Sequence, residues 1–326
     1  MTGHPLIWIG FSLLVLGVLA LDLGVFHRKA HAVGFREALS WTGVWVTLAL
    51  LFGLGVWHWA GPKKGIEFFT GYLIEYSLSA DNVFVFVLIF SYFAVPSQWQ
   101  HKVLFWGVLG ALVMRLIMIG LGVALISRFG WVLYVFGAFL LFTGFKMVFG
   151  RQEMIHPERN PLVRWFRKLV PVTNDYHGDR FVAQVNRRRM ATPLVVVLVC
   201  VEVSDLVFAM DSIPAIFAVT LDPFIVYTSN VFAILGLRSL YFVLAGMVNK
   251  FHYLKTGLGV VLVFVGVKML LAHTPCRIDS LLALGVVAGV LAVTIAASLL
   301  HQRRKAASAP ADLGLCPPAA TNQVAD

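Results

Sequence analysis

Five acidic residues fall where the chain is otherwise apolar, in two stretches of similar make-up. Residues 202–214 read Glu-Val-Ser-Asp-Leu-Val-Phe-Ala-Met-Asp-Ser-Ile-Pro and carry Glu202, Asp205 and Asp211, with the hydroxyls of Ser204 and Ser212 among them. An earlier stretch holds Glu75, Ser77, Ser79, Asp81 and Asn82. A charged side chain at the centre of a bilayer costs at least ~2.5–3.5 kcal/mol, so acids kept in such segments point to a use. Carboxylates, a carboxamide and hydroxyls are hard oxygen donors, suited to Mg²⁺, Ca²⁺ or Mn²⁺. Neither stretch contains histidine, and Cys200 lies two residues outside the second, so zinc and copper fit less well. Met210 offers a soft sulfur that would tilt such a site from Mg²⁺ towards Mn²⁺, although an ordinary membrane-core methionine is its plainer reading.

Charge supports transport of a cation. Ionised, Glu75, Asp81, Glu202, Asp205 and Asp211 carry −5, and Arg115 and Arg238, both mid-span, return +2. One divalent cation, or two or three protons, brings the remaining −3 close to neutral, because clustered carboxylates oppose one another's ionisation. A site that either species can neutralise is a minimal metal/proton exchanger. The two arginines read equally as structural salt-bridge partners. Lys146 and Lys268 lie near span ends, where snorkelling accounts for them.

Helical spacing determines which of these groups can meet. Glu75, Ser79 and Asn82 share one helix face, and Glu202 and Asp205 share another. Asp81 is six residues from Glu75 and Asp211 six from Asp205, about 120° off those faces in a regular helix. Pro214 removes the hydrogen bond to the Met210 carbonyl. The expectation is therefore a discontinuous sixth span, broken beside Asp211 so that this carboxylate turns into a single cluster with the other four.

The elements that must position these residues are transmembrane helices. With 59% hydrophobic and 13% charged residues in 326, the chain is too apolar for an ordinary soluble domain. Nine spans are expected, at about 6–25, 38–60, 68–94, 103–126, 130–149, 192–219, 224–248, 255–272 and 279–300. A net charge of +10 would suit nucleic acid only on a basic soluble domain. Here the basic residues sit between apolar runs, and no nucleic-acid partner is expected. Of the 26 Lys and Arg, eighteen fall in the segments that are inside when the N-terminus is outside, four in the outside segments, and four within spans. The positive-inside rule then places the N-terminus outside and the C-terminus in the cytoplasm. Asp22, before His27-Arg28-Lys29, reads as an interfacial acid. Cys200, Cys276 and Cys316 have no CxxC spacing, so neither a disulfide framework nor a zinc knuckle is indicated. The first apolar run has no basic stretch before it and reads as a retained helix.

Spans three to five and six to eight repeat. Asp81-Asn82-Val83-Phe84 matches Asp205-Leu206-Val207-Phe208, Arg115 matches Arg238, and Gly144-Phe145-Lys146-Met147 matches Gly266-Val267-Lys268-Met269. Three spans per unit make the second run opposite to the first, an inverted repeat with its site at the midplane. The expected organisation is 1–67, two helices; 68–149, the first repeat; 150–191, a basic cytoplasmic loop; 192–272, the second repeat; 273–301, a last helix; and 302–326, a disordered tail.

The stretches Leu21-Asp22-Leu23-Gly24-Val25-Phe26-His27-Arg28-Lys29, Glu75 to Phe84 and Glu202 to Pro214 closely resemble the TerC/Alx family of integral membrane proteins, and the resemblance runs to about residue 300. It implies a multi-pass protein of the cytoplasmic membrane that exports Mn²⁺, with Glu75, Asp81, Glu202, Asp205 and Asp211 at the family's intramembrane acidic positions. Other members are tied to tellurium resistance, calcium or membrane-protein biogenesis. The leading expectation is a secondary transporter, not an enzyme. Its cargo is Mn²⁺ or Ca²⁺, its coupling ion H⁺, its surroundings the lipid bilayer, and it holds no permanent cofactor. Metal-site residues are Glu75, Asp81, Asn82, Glu202, Asp205 and Asp211, supported by Ser79, Ser204, Ser212, Met210, Arg115 and Arg238. A membrane scaffold using the basic loop, and an aspartyl protease using Asp81 and Asp205, are the competing classes. Oligomeric state does not follow from these patterns.

Overall fold

The computed structural model describes residues 5–21, 34–149, 165, 170–173, 175–185, 188–245, 253–272, 274 and 278–307. Asp22, Arg28 and Lys29, much of the basic connection and the tail after 307 lie outside these residues. The described chain forms nine helices: α1 Pro5–Leu21, α2 Phe35–Ala60, α3 Pro62–Tyr92, α4 Ser97–Arg128, α5 Val132–Phe149, α6 Pro193–Phe217, α7 Pro223–Ala245, α8 Leu254–Leu270 and α9 Ser280–Ala307. Seven of them are long and apolar enough to cross a membrane. At 17 residues each, α1 and α8 stand at the short end of what spans a hydrocarbon core. The protein is an all-α polytopic membrane protein, as expected, and all nine expected spans coincide with helices. α9 runs to residue 307, into the stretch read as tail.

Long helices form because only intra-segment hydrogen bonding satisfies the backbone in lipid. Leu, Ile and Phe side chains on the outer surfaces of α2, α4, α5 and α9 are exposed, including Leu51, Leu121, Phe142 and Leu300, where lipid replaces water as the neighbour. α2 turns into α3 at Gly61, whose φ of 94° suits glycine, and Pro62 opens α3 at a position that needs no donor.

α3 is central, packing against α2, α6, α7 and α9, while α7 is almost wholly enclosed. α5 pairs with α8 through glycines. A Cβ at Gly144 would lie 2.8 Å from the Gly259 carbonyl oxygen, and one at Gly266 would lie 2.9 Å from that of Gly137. The backbones therefore approach as closely as small residues permit in a membrane.

The basic connection is not wholly a loop. Val182–Val185 (β1) pairs antiparallel with Arg188–Ala191 (β2), Val182 opposite Ala191. The hairpin region docks on the α3–α4 turn: Tyr176 Oη donates to the Phe93 carbonyl at 2.7 Å, and Lys102 Nζ lies 2.8 Å from Asp179 Oδ2. Lys102 holds the Asp179 carboxyl below the usual aspartate range, chiefly through that hydrogen bond. This is the hairpin end of the bundle; Gly61 and the α6–α7 connection mark the opposite end.

α6 is continuous from Pro193 to Phe217, contrary to the expected break. Pro214 lies three residues from its end and forfeits one hydrogen bond, and the Ala218 amide donates to the Pro214 carbonyl at 3.1 Å. A missing bond so close to a terminus leaves too little helix beyond it to reorient.

Candidate cation site

Because α6 stays regular, Asp205 and Asp211 point in different directions, and the five acids divide into three groups. The first is closed. Arg115 of α4, 1% exposed, inserts between α3 and α6. It donates through Nε to Asp205 Oδ2 at 3.2 Å and through Nη2 to Asp205 Oδ1 at 3.0 Å, the two-pronged geometry of a guanidinium on a carboxylate. Its Nη1 bonds Glu75 Oε1 and reaches Ser212 Oγ at 3.3 Å. Asn82 donates to Asp205 Oδ1 at 3.5 Å. Glu75, Ser79, Asn82, Asp205 and Ser212 are all buried. Glu75 Oε2 and Ser79 Oγ have no hydrogen-bond partner among the described residues. Arg115 is thus the salt-bridge partner that its mid-span place allowed, and buried carboxylates at that depth require one.

The second group is open. Asp81 and Asp211 line a cavity of about 130 Å³ with Asn82, Ser212 and Thr143 of α5. Asp211 lies near the Thr143 hydroxyl, which lines the same cavity, and feels the charge of Asp81. No ion pair holds either aspartate among the described residues. Since a water takes about 30 Å³ of liquid, the space admits a cation with part of its hydration shell. Asn82 and Ser212 belong to both groups, each touching the Arg115 cluster and lining the cavity. The reason is helical: Asp81 and Asn82 stand about 100° apart on α3, as do Asp211 and Ser212 on α6.

Glu202 stands apart from both. Its carboxylate occupies the space where a side chain at Gly110 of α4 would go. Other expected site residues also lie elsewhere. Ser204 donates to its own helix, at the Cys200 carbonyl, 2.8 Å away. Met210 is 51% exposed and does not line the cavity, so its sulfur is not presented to a cation there. Arg238 lines a small cavity with Asp205 but does not join the Arg115 clamp. Among the described residues no three His, Cys, Asp or Glu gather closely enough to cage a metal; the single five-carboxylate cluster is not formed. Thr143 was missed. A hydroxyl just before Gly144 was its signal, but the residue 122 positions on is the apolar Val265, so the matched sequence landmarks did not mark it.

Residues 60–306 match the integral membrane protein TerC family. The chain belongs to the TerC family. Its relatives span its whole architecture. An uncharacterised membrane protein of Myxococcus xanthus is 55% identical over 301 residues, 92% of this chain and 94% of its own. Proteins of Salmonella typhi and Escherichia coli K12, each named as a candidate membrane-bound redox modulator, Alx, are 49% and 50% identical. They cover 93% and 90% of this chain and 97% and 94% of their own length. No solved structure matches.

Proposed function

We propose that this TerC-family chain is a secondary transporter for a hard divalent cation, Mn²⁺ foremost, and that Asp81 and Asp211 bind it in exchange for protons across the cytoplasmic membrane. One observation carries the reading. Two carboxylates share a cavity in the membrane and have no ion-pair partner among the described residues, only the more distant charge of Lys255 acting on Asp81, while the neighbouring pair, Glu75 and Asp205, has Arg115. A charge of −2 is neutralised by one divalent ion or by two protons, and leaving it bare at that depth is costly. Two carboxylates with the neutral oxygens of Asn82, Thr143 and Ser212 make a site strong enough to load and weak enough to release, as conduction requires. The geometry suits any hard divalent cation. Preference for Mn²⁺ over Ca²⁺, and export as the direction, come from the family resemblance.

The α5–α8 contact supports an inverted repeat around this site. Gly137 and Gly144 correspond to Gly259 and Gly266 at an offset of 122, and the close pairs are Gly137 with Gly266 and Gly144 with Gly259. A two-fold axis in the membrane plane requires this reciprocity, and such an axis suits alternating access about a midplane site.

Mn²⁺ binding to the detergent-solubilised protein, followed by the EPR signal of the free ion, tests the site. Asp81→Asn and Asp211→Asn are each expected to weaken binding at least about tenfold, the range seen when a metal's immediate environment is disturbed. Glu202→Gln and Ser204→Ala are expected to retain it. Unchanged affinity in a folded Asp211→Asn protein would falsify the assignment.

A further inference from the structure

Polar residues continue from the site along α3 towards the end opposite the hairpin. Glu67, Gly71 and Glu75 recur every four residues and share one face. Across from it, a Cβ at Gly71 would meet the Ser229 hydroxyl of α7 at 2.9 Å, so the helices touch there through a missing side chain and a polar atom. Thr228, Ser229 and Asn230 are all fully buried. Neither the amide nitrogen nor the amide oxygen of Asn230 has a hydrogen-bond partner among the described residues. Buried amides without partners are rare in native proteins and point to a visiting polar species.

The row ends in an ion-pair cluster that takes no part in the site. Lys64 Nζ lies 2.9 Å from Glu67 Oε2 and 3.0 Å from Asp222 Oδ2. Thr220 Oγ1 donates to the same Glu67 oxygen at 2.7 Å. Glu67 is 5% exposed, whereas the Lys64 side chain is 30% exposed, so the ammonium lies over the acids as a tethered cation. It ties the start of α3 to the α6–α7 connection. Lys268 of α8 is buried, has no hydrogen-bond partner among the described residues, and feels the charge of Asp279 and, less strongly, that of Glu67. Glu67 therefore shares with Asp279 the field of a second cation.

We propose that Lys64, Glu67 and Asp222 form a gate closing a polar path that runs from the Asn82–Ser212 junction past Glu75, Ser229 and Asn230 to the membrane face opposite the hairpin. The gate places a lysine ammonium between two carboxylates, where a departing divalent cation would pause. That the path carries a cation rests on the transport reading above; that it opens and closes does not.

Accessibility tests the gate without reference to cargo. Ser229→Cys is introduced into a chain whose Cys200, Cys276 and Cys316 are replaced by alanine, and a membrane-impermeant maleimide is added from the face opposite the hairpin. An open state populated at roughly 0.1–10% leaves room for labelling to rise about tenfold or more when Lys64→Gln removes the tie. Asp222→Asn, on the connection, is the second variant and is expected to act in the same direction. Labelling unchanged in both variants, in protein that retains its melting temperature, overturns the gate. Labelling that rises in a protein moving no divalent cation keeps the gate and removes the cargo.

Discussion

Asp81 and Asn82 are adjacent yet differ in role: Asp81 serves the open cavity, whereas Asn82 lines that cavity and also bonds the Arg115 clamp. Consequences of substitution differ accordingly. Arg115→Met leaves Glu75 and Asp205 buried without their cation, and breaking a buried pair in this way costs about 3–5 kcal/mol. A fall in the unfolding midpoint in detergent is the expected result. Arg115→Lys restores charge without the two-pronged fork and is expected to rescue only part of the loss. Asp211→Asn removes an acid that no ion pair restrains among the described residues, relieves the cost of a bare charge at that depth, and is expected not to lower the midpoint. Equal destabilisation by both would merge the two groups into one. The acids themselves were legible in the sequence because charge is conspicuous in apolar spans. Their partition was not, because it depends on α6 remaining regular through Pro214, and the expected break would have drawn Asp211 into the cluster.

At the scale of elements, the α5–α8 contact depends on absent side chains. Gly144→Val forces backbones apart that already meet within 2.8 Å of a Cβ position, and overpacking of this kind costs about 1–3 kcal/mol. Gly43→Ala in α2, with nothing within 4 Å, is expected to be neutral or to stabilise by up to about 1 kcal/mol. Thermal unfolding of the two variants side by side checks the contrast. The hairpin makes a different prediction. Asp179 ionises below the usual aspartate range in the folded state, so its contact with Lys102 is complete above about pH 4 and weakens only as pH falls through the lowered value. Hydrogen exchange of the strand amides 182–185 and 188–191 should therefore show constant protection from pH 5 to 8; loss of protection between pH 7 and 6 would contradict the contact. The strands were not legible, because four-residue strands in a basic stretch have no apolar run of their own and form against the α3–α4 turn. The nine helices were, since apolar stretches near 20 residues have few alternatives in a membrane.

At the scale of the whole molecule, the charge count predicts an extracytoplasmic N-terminus and a cytoplasmic C-terminus. Reporter fusions at the two ends are expected to report opposite sides, and a shared side would remove an odd number of spans from the membrane. The matching polar landmarks were what suggested a repeat, and the reciprocal glycine pairs of α5 and α8 are contacts of the kind an inverted arrangement calls for. The cavity between Asp81 and Asp211 was not visible, because it requires Thr143 of α5 beside two helices distant in sequence. The most direct measurement is divalent-cation flux in proteoliposomes under an imposed pH gradient, comparing Mn²⁺, Ca²⁺ and Mg²⁺. Gradient-driven Mn²⁺ movement that is abolished by Asp211→Asn and kept by Glu202→Gln is the result this account predicts. No flux of any of the three ions from folded wild-type protein, or full flux in Asp211→Asn, would contradict it.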